Sequence, residues 1–172
     1  MGTSITRGDK SHVTPDKGQV YQFQASKDPF TGNISIKPSE CMSFTGGILD
    51  FEFLSLENLR RQFLLVGVNS FVQFFDITND EPIEMSEIVA EIDQQIYVQK
   101  IKVSKDVIMV GDIMKSLSIY KLEHDPKNKS FTANLICRDP RGQWCLDMLQ
   151  MTDFSYMIAD FKQNLVLLSR NP

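Results

Sequence analysis

Three stretches of this chain repeat one pattern, and that repeat constrains the fold more than any single residue does. FLLVGVNSFVQFFDI lies in a unit from Gly47 to Ile77, VIMVGDIMKSLSIYKL in one from Ile96 to Leu122, and YMIADFKQNLVLLSR in one from Trp144 to Arg170. Each unit reads as an alternating strand, a gap, an apolar strand ending in a small residue, a four-residue polar corner and another alternating strand. Val66, Val110 and Ile158 hold the same place in each, 44 and 48 residues apart. A repeat of roughly 40–50 residues built from about four short strands is the signature of a β-propeller blade. The expected fold class is therefore all-β, with four-stranded antiparallel blades. A chain of that kind is a docking surface before it is anything else.

Strand signals fill most of the remaining length, and no convincing helix competes with them. Gly18 to Gln24 alternates Val20, Tyr21 and Phe23 with polar partners, and Lys27 to Asn33 is a turn rich in Pro, Thr, Gly and Asn. Ile34 to Phe44 reads as an outer strand edged by Pro38, and Phe131 to Arg138 as the strand after the His124–Ser130 turn. Glu84 to Ile92 fits half a helix on periodicity alone, but its place in the repeat calls for an outer strand. Thr6 to Lys17 is charged and turn-rich, a surface loop. Met1-Gly2-Thr3 occupies the place of Val66-Gly67-Val68 and Val110-Gly111-Asp112, so the chain begins inside a strand on this reading.

The tally is three strands, then four, four and three, about three and a half blades in one partial propeller domain over residues 1–172. Its units fall at about 1–45, 47–92, 96–138 and 144–170. Propellers remove exposed edges by closing a ring, which this chain does not do by itself. Its open edges imply self-association or a covering partner, and a piece of a longer or split protein as its origin.

Composition narrows the function classes. With 18 basic and 22 acidic side chains the formal charge is −4, and no lysine or arginine stripe rises above that background. Such a surface neutralises few phosphates, so nucleic acid is expected to bind only weakly or indirectly. Cys41, Cys137 and Cys145 are odd in number and lack C-x-x-C spacing, which fits a reducing compartment and neither a disulfide framework nor a zinc site. The polar stretch Met1–Thr14 is no secretory signal, and the longest uncharged run, Phe63–Phe75, is too short to span a bilayer as a helix. The sequons at Asn33 and Asn128 read as chance matches in a soluble intracellular protein.

No catalytic constellation stands out. Asp112 and Asp160 align with each other, and an aspartate at a strand end before a tight corner accepts backbone N–H bonds that fix the turn. His12 and His124 lie in polar loops without a ligand neighbour, so no metal is expected, and no phosphate-loop glycine pattern or nucleophile with a base is present. The expectation is a non-enzyme without cofactors. Met109, Met114, Met148 and Met151 read as core filling. Trp144, the one tryptophan, is either packed between blades or an anchor for a partner, the residue type that dominates interface energetics.

The segments VIMVGDIMKSLSIYKL, ICRDPRGQWCLDMLQM and IADFKQNLVLL carry a resemblance. They are similar to the C-terminal propeller region of the cleavage and polyadenylation specificity factor A subunit family, over nearly the whole chain. Val110-Gly111-Asp112 and Gln143-Trp144 resemble the branch of the large subunit of UV-damaged DNA-binding protein, an adaptor of cullin–RING ubiquitin ligases. Met114-Lys115-Ser116 and the Ala159–Asn164 turn resemble the mRNA 3′-end processing branch at least as much. The resemblance implies a nuclear multiprotein complex and a protein-interaction scaffold of the adaptor kind. Its alternatives are an RNA-binding subunit of the 3′-end cleavage, polyadenylation or splicing machinery, and a truncated remnant without independent function. In the adaptor branch a tryptophan at this strand start belongs to the face that receives substrate receptors. Independently of the resemblance, Arg138-Asp139-Pro140-Arg141-Gly142 is a polar turn leading directly into an aromatic, so Trp144 is the expected apolar anchor, with Arg138 or Arg141 as its polar rim. Gln99 and Lys100 depart from that branch, whose strand is more apolar there.

Overall fold

A computed structural model describes residues 2–5, 17–79 and 87–170. These residues form four antiparallel sheets and no helix. Sheet 1 holds β1 (Gly2–Ile5), β2 (Lys17–Lys27) and β3 (Ile34–Phe44). Sheet 2 holds β4 (Ile48–Leu56), β5 (Arg61–Val68), β6 (Phe71–Asp76) and β7 (Ile88–Asp93). Sheet 3 holds β8 (Val98–Ser104), β9 (Val107–Asp112), β10 (Leu117–Asp125) and β11 (Ser130–Arg138). Sheet 4 holds β12 (Cys145–Thr152), β13 (Ser155–Asp160) and β14 (Leu165–Ser169).

Each strand pairs only with its chain neighbours, the order of propeller blades, and the sheets do not close into a barrel. The three-four-four-three tally holds in the described residues. The outer strand expected over Glu84–Ile92 is β7, although residues 84–86 lie outside the described residues. The loop expected at Thr6–Lys17 also lies outside them, except for Lys17, which opens β2.

The sheets stack face to face, with β4, β8 and β12 side by side at the inner edge. Three apolar clusters are the joints. Val20 and Met42 of sheet 1 meet Ile48, Leu64, Val66 and Phe75 of sheet 2. Phe63, Leu65, Val72 and Phe74 meet Ile101, Ile108, Tyr120 and Leu122. Met109, Leu117 and Ile119 meet Cys145, Met148, Tyr156 and Ile158. A strand covered on both faces needs apolar residues at successive positions, whereas one covered on a single face alternates. Phe63 to Val68 of β5 are accordingly all buried, and β13 alternates.

Glycines set how closely the sheets approach. A Cβ on Gly111 would lie 2.7 Å from Cys145 Sγ and 2.8 Å from Met148 Cε; one on Gly67 would meet Val98 Cγ1 at 3.0 Å. Each glycine is thus a hole that receives a side chain from the inner strand of the next sheet. Gly111→Ala is expected to push sheet 4 outward and lower stability by about 1–3 kcal/mol, the usual cost of overpacking. Thermal melts check this, with Gly142→Ala as the neutral control, its Cβ no closer than 3.4 Å to any atom outside its own neighbours.

The methionines divide in a way the sequence reading missed. Met109 and Met148 are buried in the joint between sheets 3 and 4, but Met114 and Met151 are exposed. Met114 sits in the corner after β9, and Met151 is the extra residue at the irregularity between Gln150 and Thr152, which disturbs the alternation. Among the described residues no helix is long and apolar enough to cross a membrane, and no group of three or more His, Cys, Asp or Glu is placed to hold a metal ion.

Candidate protein-docking site

The connector from sheet 3 to sheet 4, residues 139–144, runs beside the β9–β10 and β13–β14 corners. Asp139 N–H donates to Leu117 O at 2.8 Å, and Phe161 N–H donates to Trp144 O at 3.1 Å. Asp139 is buried and holds Arg141 in a two-pronged ion pair, Nε to Oδ1 at 3.0 Å and Nη2 to Oδ2 at 3.3 Å. Burial pushes the Asp139 carboxyl up, but the hydrogen bonds and charge of Arg141, together with Ser116, outweigh it and hold the group below the ordinary range. The pair stiffens the turn that precedes Trp144.

Trp144 lies on the surface rather than between sheets. It is 40% exposed and stacks on Phe161, which is 61% exposed, with centroids 4.7 Å apart and ring planes 16° apart. The joint-filling role belongs to the next residue, Cys145, which is fully buried under Gly111. Burial, then the carboxylates of Asp147 and Asp112, push the Cys145 thiol up to about 12, so it stays protonated at neutral pH.

Beside the two rings is a pocket of about 410 Å³ whose lining includes Arg141, Gln143, Lys162 and Asn164. Gln143 Oε1 is buried there with no hydrogen-bond donor among the described residues. Asp160 also lines the pocket, but its carboxylate accepts Asn164 N–H at 2.8 Å and Asn164 Nδ2 at 2.9 Å. The Asn164 bonds hold its pKa below the ordinary value. Asp112 plays the matching part in sheet 3, accepting the backbone N–H groups of Met114, at 2.7 Å, and Lys115. The two aspartates fix corners, as their spacing suggested.

Arg141 and Trp144 thus share one pocket, whereas Arg138 turns elsewhere. Its Nε donates to Ser118 Oγ at 2.8 Å, and Nη2 reaches Tyr120 Oη at 3.3 Å and Gln94 Oε1 at 3.4 Å. Arg138 therefore belongs to a polar network around buried Gln94. Lys100 ion-pairs with Asp50 at 3.2 Å, linking inner strands β8 and β4.

Sequence reasoning missed Phe161, Lys162 and Gln143. A signal for the first was present: both corners, Ile113-Met114-Lys115-Ser116 and Phe161-Lys162-Gln163-Asn164, open on apolar residues despite their polar character. Apolar side chains at a loop position that no sheet covers point to a contact surface.

The family model for the CPSF A subunit region matches residues 1–172. The chain is also 26% identical over 108 residues to DNA damage-binding protein 1 of Drosophila melanogaster. That match covers 63% of this chain and 9% of that protein, so the chain spans a small part of the relative's length.

Proposed function

This chain belongs to the CPSF A subunit family, and from that membership we propose that it is a non-enzymatic scaffold of a nuclear multiprotein complex, docking a partner protein at Trp144 and Phe161. The observation that carries the reading is the exposed, stacked aromatic pair beside Arg141, Lys162 and an acceptor, Gln143 Oε1, without a donor among the described residues. Rigid aromatic anchors with a polar rim are what protein interfaces use for most of their binding energy. The likeness to DNA damage-binding protein 1 favours the ubiquitin-ligase adaptor role over RNA 3′-end processing. The absence of a basic stripe weighs in the same direction. In this reading the four sheets act as one domain.

Calorimetric titration against purified substrate receptors of cullin–RING ligases tests the proposal. Trp144→Ala is expected to weaken binding by about 2 kcal/mol, roughly 30-fold, with a nearly unchanged melt. A core residue would instead lose about 3–5 kcal/mol of stability, with binding falling only as the protein unfolds. That outcome would sink the docking reading. Tight RNA binding at physiological salt would put the RNA-processing reading in its place.

A further inference from the structure

The docking site carries one charge pattern three times. Asp112-Ile113-Met114-Lys115, Asp139-Pro140-Arg141 and Asp160-Phe161-Lys162 each place a cation two or three residues after an aspartate. The first and third are the corners after β9 and β13, and the second opens the connector that runs between them. The three segments adjoin. A Cβ on Gly142 would lie 3.4 Å from Met114 O, and Phe161 N–H donates to Trp144 O.

The two signs are not equally exposed. All three aspartates are buried, and their carboxylates are committed to local hydrogen bonds. Asp112 Oδ1 accepts the N–H groups of Met114 and Lys115, and its Oδ2 accepts Gln94 Nε2 at 3.4 Å. Asp139 Oδ1 accepts Arg141 N–H at 3.2 Å besides the guanidinium, and Asp160 accepts the backbone and side-chain N–H groups of Asn164. The cations stand on the outer side. Arg141 and Lys162 are exposed, and half-buried Lys115 reaches the neutral amide oxygen of Gln95 at 3.0 Å. Lys162 makes no ion pair among the described residues. The exposed carboxylates Asp93 and Asp147 sit in β7 and β12, outside the lining of the pocket. A group approaching the aromatic pair therefore meets positive charge first, on a chain whose net charge is −4.

We propose, resting on the docking reading above, that the partner segment is an acidic peptide. It lays an apolar side chain against Trp144 and Phe161 and sets an aspartate or glutamate beside Lys162 and Arg141. Charge complementarity of this kind supplies specificity and on-rate, while the aromatic pair supplies affinity. Gln143 Oε1 lacks a donor among the described residues, and a peptide N–H supplies one. An RNA strand fits less well. Three cations neutralise few phosphates, and the two rings stack on each other at 4.7 Å, which leaves no gap between them for a base.

Selection of a random library of short peptides displayed on phage, against the whole immobilised chain, tests this. The recovered sequences are expected to place Asp or Glu beside Trp, Phe or Leu. Synthetic peptides of those sequences should lose affinity about five-fold or more on Lys162→Glu, and also when salt is raised from about 0.1 to about 1 M. Lys162 is exposed, so its variant should keep the wild-type melt. Peptides with lysine in place of the acids should bind Lys162→Glu more tightly than wild type, an inversion that no loss of folding produces. Peptides that need Trp144 but carry no acid, or ignore Lys162→Glu, overturn the acidic partner and leave the docking reading standing. Peptides indifferent to Trp144→Ala overturn both. Recovery of no peptide overturns the acidic partner, as does a uridine-only RNA oligonucleotide that binds more tightly than the selected peptides at the same salt.

Discussion

Phe63→Ala is expected to cost about 3–5 kcal/mol of stability, the range for truncating a fully buried aromatic side chain. Phe63 is wholly excluded from solvent in the joint between sheets 2 and 3, and its ring meets Phe131 edge to face at 5.0 Å. Alanine removes the transfer energy of the ring and leaves a cavity whose walls sit on two different sheets. Those walls cannot collapse without moving one sheet against the other. At about 2–4 °C per kcal/mol for a chain of this size, the melting temperature should fall by on the order of 10 °C. Phe131→Ala, at the half-buried partner, should cost clearly less. A loss below about 1 kcal/mol for Phe63→Ala would show that the sheets are not held together through this joint.

Gln94→Leu attacks the polar side of the same joint. Gln94 lies between β7 and β8 with its side chain fully buried, and its N–H donates to Ser70 O at 2.9 Å. Its Oε1 accepts Tyr120 Oη–H at 2.6 Å, and its Nε2 donates to Ser118 Oγ at 2.8 Å and to buried Asp112 Oδ2 at 3.4 Å. Leucine has similar bulk but neither donor nor acceptor, so it removes the acceptor of the Tyr120 O–H, leaves Tyr120 Oη and Ser118 Oγ with only their Arg138 donors, and places an apolar group against a carboxylate. Stranding one buried donor and weakening the network around it costs about 3 kcal/mol. A double-mutant cycle with Tyr120→Phe measures the coupling: the second substitution should cost less once Gln94 is gone. Strict additivity would mean that the network contributes nothing beyond packing.

The candidate site was legible only in part. Trp144 and Arg141 were identified from one aromatic following a polar turn, and the structure places both on one pocket. Phe161, 17 residues further along, joins them because two separate corners meet, a contact between sheets that no local pattern encodes. Arg138 shows the reverse. As a cation in a turn it read as a rim residue, yet Ser118, Tyr120 and Gln94 draw its guanidinium towards the joint. The difference between Arg138 and Arg141 lies in which acceptors the fold brings near each.

By itself the sequence determined that the chain forms strands, how many each unit contains, and where the corners fall. Those properties are local: alternation sets the face of a side chain, and small or polar residues set the turns. Asp112 and Asp160 belong here too, because the hydrogen bonds that fix their corners close within four residues. Only the tertiary structure decided which of several chemically equivalent rows are buried. Met109 and Met157 hold one register position, as do Tyr120 and Phe23, yet one of each pair lies inside a joint and the other faces outward. Burial of a sheet face depends on the neighbour that covers it, and that neighbour lies tens of residues away in the chain.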